Sequence, residues 1–194
     1  YQESGTADLF DADGIYIGSS NDMKLGWNLI NGEWYYKYGA NLLNGKAEID
    51  GKEYCFENGI MMKNTASTAN LSEYCYGEDG IRLSGTGWRL LDGKWYYLNS
   101  KSEYITGWAM IGTERYYFLT EEDCFAEKTT DKINYGRLGV MCTGYRVING
   151  RLCYFDQNGA YRGIRGCENG WYYAKEENDW YFMKGQRVTT GRAT

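Results

Sequence analysis

The sequence contains no histidine, so neither a Ser/His nor a Cys/His nucleophile can be built, and the usual imidazole ligand of catalytic zinc is missing. Its six cysteines, Cys55, Cys75, Cys124, Cys142, Cys153 and Cys167, include no Cys-x-x-Cys pair, which argues against a zinc site. Asp11-Ala12-Asp13-Gly14 imitates a calcium loop. The first ligand position would be Leu9 and the twelfth Ser20, so the segment reads as a turn. Glu121-Glu122-Asp123 and Glu176-Glu177 have no neighbour that would raise a carboxyl pKa. They read as solvated loops rather than a glycosidase pair. The expectation is therefore no catalytic residue, no metal and no cofactor. What the chain has in quantity is flat rings: 20 Tyr and 7 Trp, whose faces can hold a cation or stack on a sugar.

Those rings recur with a period. Trp34-Tyr35-Tyr36, Trp95-Tyr96-Tyr97 and Trp171-Tyr172-Tyr173 are nearly identical tripeptides. Tyr54-Cys55-Phe56, Tyr74-Cys75-Tyr76, Arg115-Tyr116-Tyr117 and Leu152-Cys153-Tyr154 read as weaker copies. From Trp34 to Tyr54 and on to Tyr74 the step is 20 residues, then 21 to Trp95 and 20 to Arg115. Tyr135, 20 residues beyond Arg115, marks a degraded copy. A period near 20 specifies stacked repeats rather than one central core.

A second motif, glycine followed by a bulky residue, lies seven residues upstream: Gly26-Trp27, Gly87-Trp88, Gly107-Trp108 and Gly144-Tyr145, with Gly163-Ile164 as a further copy. Between the motifs stand Asn31-Gly32, Asp92-Gly93 and Asn149-Gly150, dipeptides that favour the type I′ turn of a tight hairpin. Each unit thus reads as strand, turn, strand and a looser loop. Side chains alternate along a strand, so Trp95 and Tyr97 share one face and Tyr96 takes the other. One hairpin cannot bury its apolar face alone, so neighbours must supply the core. Cys55, Cys75 and Cys153 occupy the middle tripeptide position, where a small buried hydrophobe suffices. An even cysteine count permits disulfides in an exported protein, but this placement favours buried thiols. In the last unit either Trp171 pairs with Ile164 or Trp180-Tyr181-Phe182 is the true tripeptide. The second is favoured, with a turn lengthened through residues 175–179.

The net charge is −5 and Lys and Arg form no block, which excludes nucleic-acid binding. It also excludes unaided attraction to anionic lipid or wall polymer. No stretch of 18 apolar residues exists, so membrane insertion is not expected. The chain begins at Tyr1 with neither signal peptide nor initiator Met and reads as a mature fragment of a longer protein.

Thr86-Gly87-Trp88-Arg89-Leu90-Leu91-Asp92-Gly93-Lys94-Trp95-Tyr96-Tyr97, with Thr106-Gly107-Trp108 after it, resembles the cell-wall-binding (choline-binding) repeat of Gram-positive surface proteins. Glucan-binding and clostridial toxin repeats are similar. The resemblance implies an all-β solenoid of stacked short hairpins of about 20 residues. It also implies a secreted or cell-surface location and a non-catalytic attachment role. Residues 1–194 then form a single repeat domain, with a partial repeat at 1–24, better-preserved repeats at 25–125, and degenerate repeats with a terminal cap at 126–194.

The resemblance further implies a choline cage built from the Gly-Trp aromatic and tripeptide Trp of one repeat and the Gly-Trp aromatic of the next. One such cage is complete here: Trp88, Trp95 and Trp108. Trp27 and Trp34 offer two walls, but the third position falls near Ala47. Trp108 faces Arg115, whose guanidinium would repel a cationic ligand, and Tyr145 is matched with Leu152. Trp27, Trp34, Tyr145, Trp171 and Trp180 are secondary aromatic candidates. The expected partner is choline on wall teichoic acid, with polysaccharide as the alternative and a homodimer through the terminal repeats as a further expectation. A spacer whose rings are all packed is the third reading.

Overall fold

A computed structural model describes residues 8–10, 16–66, 74–126, 137–175 and 178–189. The Asp11–Gly14 turn, Tyr135 and the Glu176-Glu177 pair lie outside the described residues. The described chain is built almost wholly of short antiparallel strands. They are β1 (Asp8–Phe10), β2 (Tyr16–Ser19), β3 (Gly26–Ile30), β4 (Glu33–Tyr38), β5 (Asn41–Leu42), β6 (Gly45–Ile49), β7 (Lys52–Glu57), β8 (Ile60–Met61), β9 (Thr65–Ala66) and β10 (Cys75–Tyr76). Beyond them lie β11 (Gly87–Leu91), β12 (Lys94–Leu98), β13 (Gly107–Ile111), β14 (Glu114–Phe118), β15 (Gly144–Ile148), β16 (Arg151–Phe155), β17 (Tyr161–Ile164), β18 (Asn169–Ala174), β19 (Asp179–Lys184) and β20 (Arg187–Val188).

The hairpins arise from the turn dipeptides. Asn31-Gly32, Asp92-Gly93 and Asn149-Gly150 all hold both residues at positive φ, the type I′ conformation that continues the strand twist. Asp50-Gly51 does the same. The glycine of the Gly-Trp motif also has a conformational reason: Gly26, Gly107 and Gly144 have φ of 88°, 74° and 71°, where a Cβ would be strained.

A third short segment returns against each hairpin. The carbonyl of the tripeptide's last residue accepts from it: Leu43 N to Tyr36 O at 2.9 Å, Ile105 N to Tyr97 O at 3.0 Å, Thr189 N to Phe182 O at 3.0 Å. The last of these marks Trp180-Tyr181-Phe182 as the tripeptide of the final unit. The register agrees, since Trp171 pairs with Phe182 as Trp27 pairs with Tyr36. In the second unit the register moves the tripeptide by one. Gly45 faces Phe56 as Gly26 faces Lys37, so Glu53-Tyr54-Cys55 stands in the place of Trp34-Tyr35-Tyr36. Met62 N donates to Cys55 O at 2.8 Å, the bond that Leu43 makes to Tyr36.

Glu121–Ala126 forms a short helix, α1, rather than a loop. Thr120 explains it. The Thr120 N–H and hydroxyl both donate to Asp123 Oδ2 at 2.8 Å, and Asp123 N donates back to Thr120 Oγ1 at 3.3 Å. This reciprocal cap resembles a capping box with Asp in the usual Glu position. Tyr117 also donates to Asp123 Oδ2 at 2.8 Å.

The chain divides into two compact units, Tyr1–Gly93 with Leu98–Tyr104, and Lys94–Tyr97 with Ile105–Thr194. Each has its own apolar clusters. In the first unit Ile49, Tyr54, Phe56 and Met61 form one, and Met23 with Tyr35 another. In the second, Tyr117, Leu119, Cys142, Ile148, Cys153 and Phe155 form one, and Tyr145, Leu152, Ala174 and Met183 another. Strand alternation sorts the rings: Tyr35 and Tyr96 are buried while Trp34 and Trp95 are exposed.

All six cysteines are free thiols, and Cys55, Cys75 and Cys153 are buried as small hydrophobes. Burial pushes the Cys75 thiol up to about 12, with Arg89 opposing. It pushes Cys142 up to about 11, with Arg146 opposing. Almost no thiolate of these two then exists at pH 8, and thiolate is the reactive form. A disulfide reagent at pH 8 is expected to modify Cys167 promptly, since Cys167 alone among the six is not buried. The other five should react only after denaturation. Prompt reaction of several thiols in the folded protein would contradict the burial.

Candidate aromatic-box site

The first unit brings Trp27, Trp34 and Tyr54 around one recess. Trp27 lies on β3 beside its glycine and is half-buried; Trp34 lies on β4 and is 37% exposed. Their ring centroids are 6.0 Å apart and the planes stand at 89°. Tyr54 approaches Trp27 from β7 at 5.0 Å and 67°. Tyr36 at 5.1 Å and Phe56 at 6.0 Å buttress Trp27 from behind. The edge-to-face contacts of Trp27 with Trp34, Tyr36 and Tyr54 suit the aromatic quadrupole and hold the rings without collapsing the space between them. A cavity of about 410 Å3 results, lined by Trp27, Trp34, Tyr54, Met61 and Asp79.

Among the described residues, no Lys or Arg lines that recess. Its one charged group among the described residues is Asp79, an exposed residue whose Oδ1 is fixed by the Ile81 N–H at 3.0 Å. Burial raises the Tyr54 pKa, and the negative charges of Asp79 and Asp50 raise it further. Tyr54 is therefore a neutral wall, and the recess combines aromatic faces with a carboxylate at its rim. That arrangement can hold a cation lacking hydrogen-bond donors, because the ring faces attract it without demanding a donor. A second recess of about 590 Å3 shares Trp27 and Trp34 and adds Ser19, Asp22, Lys24 and Asn28.

The sequence pattern locates Trp27 and Trp34 but places the third wall near Ala47. Ala47 and Tyr54 are direct cross-strand partners. The small residue leaves room, and the residue opposite it supplies the ring. Counting outward from the Asp50-Gly51 turn would have found Tyr54. Met61 and Asp79 come from later segments and carry no comparable signal.

The remaining aromatic candidates fall on both units. Trp88, on β11, belongs to the first; Trp95, on β12, and Trp108, on β13, belong to the second. Trp95 is 42% exposed. Trp108 packs against Tyr117, Phe155 and Tyr161 at 5.1, 5.7 and 5.0 Å. The guanidinium of Arg115 lies over its ring, 4.0 Å from the centroid. Tyr145 is buried against Tyr154 at 4.9 Å, with Tyr172 and Tyr181 nearby. Trp171 and Trp180 are both more than half exposed, and pair across β18 and β19 with Phe182 and Tyr173. Among the described residues no group of acidic or cysteine side chains could hold a metal ion. No helix among them is long and apolar enough to cross a membrane.

The fold and recess define a β-hairpin repeat protein with ligand-sized spaces between aromatic side chains. Residues 85–127 match the choline-binding repeat family. Toxin A of Clostridium novyi is 34% identical over 92 residues, which are 42% of this chain and 4% of the toxin. Glucosyltransferase-S of Streptococcus mutans serotype c is 29% identical over 157 residues, which are 74% of this chain and 11% of that enzyme. The chain thus spans a small fraction of these curated relatives. Among solved structures, choline-binding protein F of Streptococcus pneumoniae is 22% identical, covering 96% of this chain and 56% of that one, with a TM-score of 0.42.

Proposed function

We propose that this chain is a non-catalytic surface-attachment module that holds a quaternary ammonium group in the Trp27–Trp34–Tyr54 recess. The group would be choline borne on wall teichoic acid. The observation that carries the reading is the recess itself: three aromatic walls, a carboxylate and, among the described residues, no basic side chain. A quaternary ammonium has no donor to lose on leaving water, and each ring face contributes ~0.5–2 kcal/mol. Three faces correspond to roughly millimolar affinity. Useful attachment then needs several sites on one chain or polymer. Trp88, Trp95 and Trp108 are proposed from the sequence pattern as a second site, with Trp171 and Trp180 as further candidates.

A specific observation also favours a second reading, a glucan or other polysaccharide ligand. The polar recess on Trp34 offers Ser19, Asp22, Lys24 and Asn28 beside a stacking ring. The kinship with repeats of a glucosyltransferase points the same way.

Titrations with choline and with glucan oligosaccharides, monitored by Trp fluorescence, test both readings. Asp79→Asn separates them. It keeps the shape of the side chain and the acceptor for Ile81 N but removes the charge. If choline is the ligand, its affinity should fall about three- to tenfold, the size expected for one partly screened ion pair at a surface. If a sugar is the ligand, Asp79→Asn should leave affinity within about twofold. A protein silent to both ligand classes would overturn the attachment reading and favour a spacer.

A further inference from the structure

The surroundings of Trp108 repeat those of Trp27 ring for ring. Trp27 meets Tyr36 at 5.1 Å and Phe56 at 6.0 Å, the latter with planes inclined by 33°. Trp108 meets Tyr117 at 5.1 Å and Phe155 at 5.7 Å, the latter with planes inclined by 32°. Where Tyr54 stands 5.0 Å from Trp27, Tyr161 stands 5.0 Å from Trp108. The hairpin registers align Trp34 with Arg115: each faces the residue three beyond the motif glycine, Leu29 after Gly26 and Met110 after Gly107. The one wall that differs is therefore a guanidinium instead of an indole.

That guanidinium lies inside the box it interrupts. Arg115 Cζ is 4.0 Å from the Trp108 centroid and 5.7 Å from that of Tyr161. Arg115 is exposed, yet among the described residues it makes no ion pair, while Arg162 nearby makes two. Arg162 binds Glu114 Oε2 at 2.9 Å and Asp156 Oδ2 at 2.8 Å. The Glu114 link ties β17, which carries Tyr161, to β14, which carries Arg115. An arginine free to reach water rests on two rings, which places its charge where an external cation would sit.

We propose that Arg115 is a tethered ligand. Its side chain fills the cation position of the Trp108–Tyr161 box and keeps quaternary ammonium ions out of it, and an indole in its place completes the box as Trp34 completes that of Trp27. The Trp27 reading enters only in the choice of an ammonium probe. Because the tether holds the guanidinium at high local concentration, a millimolar competitor cannot displace it.

The test compares Trp34→Ala with the double variant Trp34→Ala/Arg115→Trp, so that the first recess lacks its Trp34 wall in both and only the second box gains one. Calorimetric titration with tetramethylammonium chloride is expected to show one additional saturable millimolar site in the double variant. Adding Trp108→Ala should remove it. Tetramethylammonium should raise the melting temperature of the Arg115→Trp protein, and sodium chloride at equal ionic strength should not. Arg115→Phe gives a second aromatic variant if tryptophan perturbs folding. No added site in either variant, with no ammonium-specific rise in melting temperature, would overturn the proposal. Silence of the wild-type protein towards ammonium alongside a response in the Arg115 variants would overturn the Trp27 reading alone.

Discussion

Trp34→Ala is expected to weaken choline binding at the first recess about tenfold, and to shift the melting temperature by no more than about 2–4 °C. The two effects separate because of where the ring sits. Trp34 is 37% exposed and touches Trp27 edge to face at 6.0 Å, so little buried packing is lost with it. It is nonetheless one of three aromatic walls, and one ring face is worth ~0.5–2 kcal/mol to a desolvated cation, centred near a factor of ten. Trp27 would not separate the effects so cleanly. It packs against Trp34, Tyr36, Tyr54 and Phe56 together, so its truncation should cost stability and binding at once. The measurement is a choline titration beside a thermal melt. A Trp34→Ala protein that binds choline as the parent does would remove the recess from consideration. One that unfolds would show the ring to be structural.

Phe155→Ala is expected to cost about 3–5 kcal/mol, the range for deleting a fully buried aromatic side chain. Phe155 is wholly buried and joins Trp108, Tyr117 and Tyr161, with centroids 5.7, 6.4 and 5.6 Å away. Those rings belong to the same cluster as Leu119, Cys142, Ile148 and Cys153, so the cavity would open at its centre. Stacked repeats divide their stability among neighbouring interfaces rather than sharing one core. The Trp27 recess rests on a different cluster, around Ile49, Tyr54, Phe56 and Met61, in the other unit. The choline response of Trp34 should therefore persist in Phe155→Ala below its unfolding transition. Urea unfolding gives the stability loss, and titration in dilute urea gives the persistence. A loss below about 1 kcal/mol would mean that Phe155 is not the keystone of its cluster.

What could be read from the residues alone was local. Asn31-Gly32, Asp92-Gly93 and Asn149-Gly150 announce hairpins because Asn, Asp and Gly tolerate positive φ, a preference settled within two residues. The alternation that buries Tyr35 and Tyr96 and exposes Trp34 and Trp95 is equally local, since it comes from the pleat. Trp180-Tyr181-Phe182 is legible through its lengthened turn because its 11-residue distance to Gly191 matches that from Trp34 to Gly45. Cys75 and Cys153 belong in the interior because the middle tripeptide position needs nothing more than a small apolar side chain, and Cys55 is buried too although the register moves it to the last place. The helix Glu121–Ala126 is hidden from period and composition, since its cap depends on how Thr120 and Asp123 fold back on each other.

Identity of the site walls was decided by contacts between segments far apart in the chain. Tyr54 became the third wall because the Asp50-Gly51 turn sets a register that puts it opposite Ala47, one step away from the tripeptide alignment. Asp79 and Met61 reach the recess from segments whose direction no periodicity encodes. Arg115 was legible as a misfit in the pattern, but only packing showed its guanidinium lying on Trp108 and Tyr161. Backbone preferences act within a few residues and are written in residue type. The direction in which a side chain closes a space between repeats depends on partners remote in sequence, and only the folded chain brings those partners together.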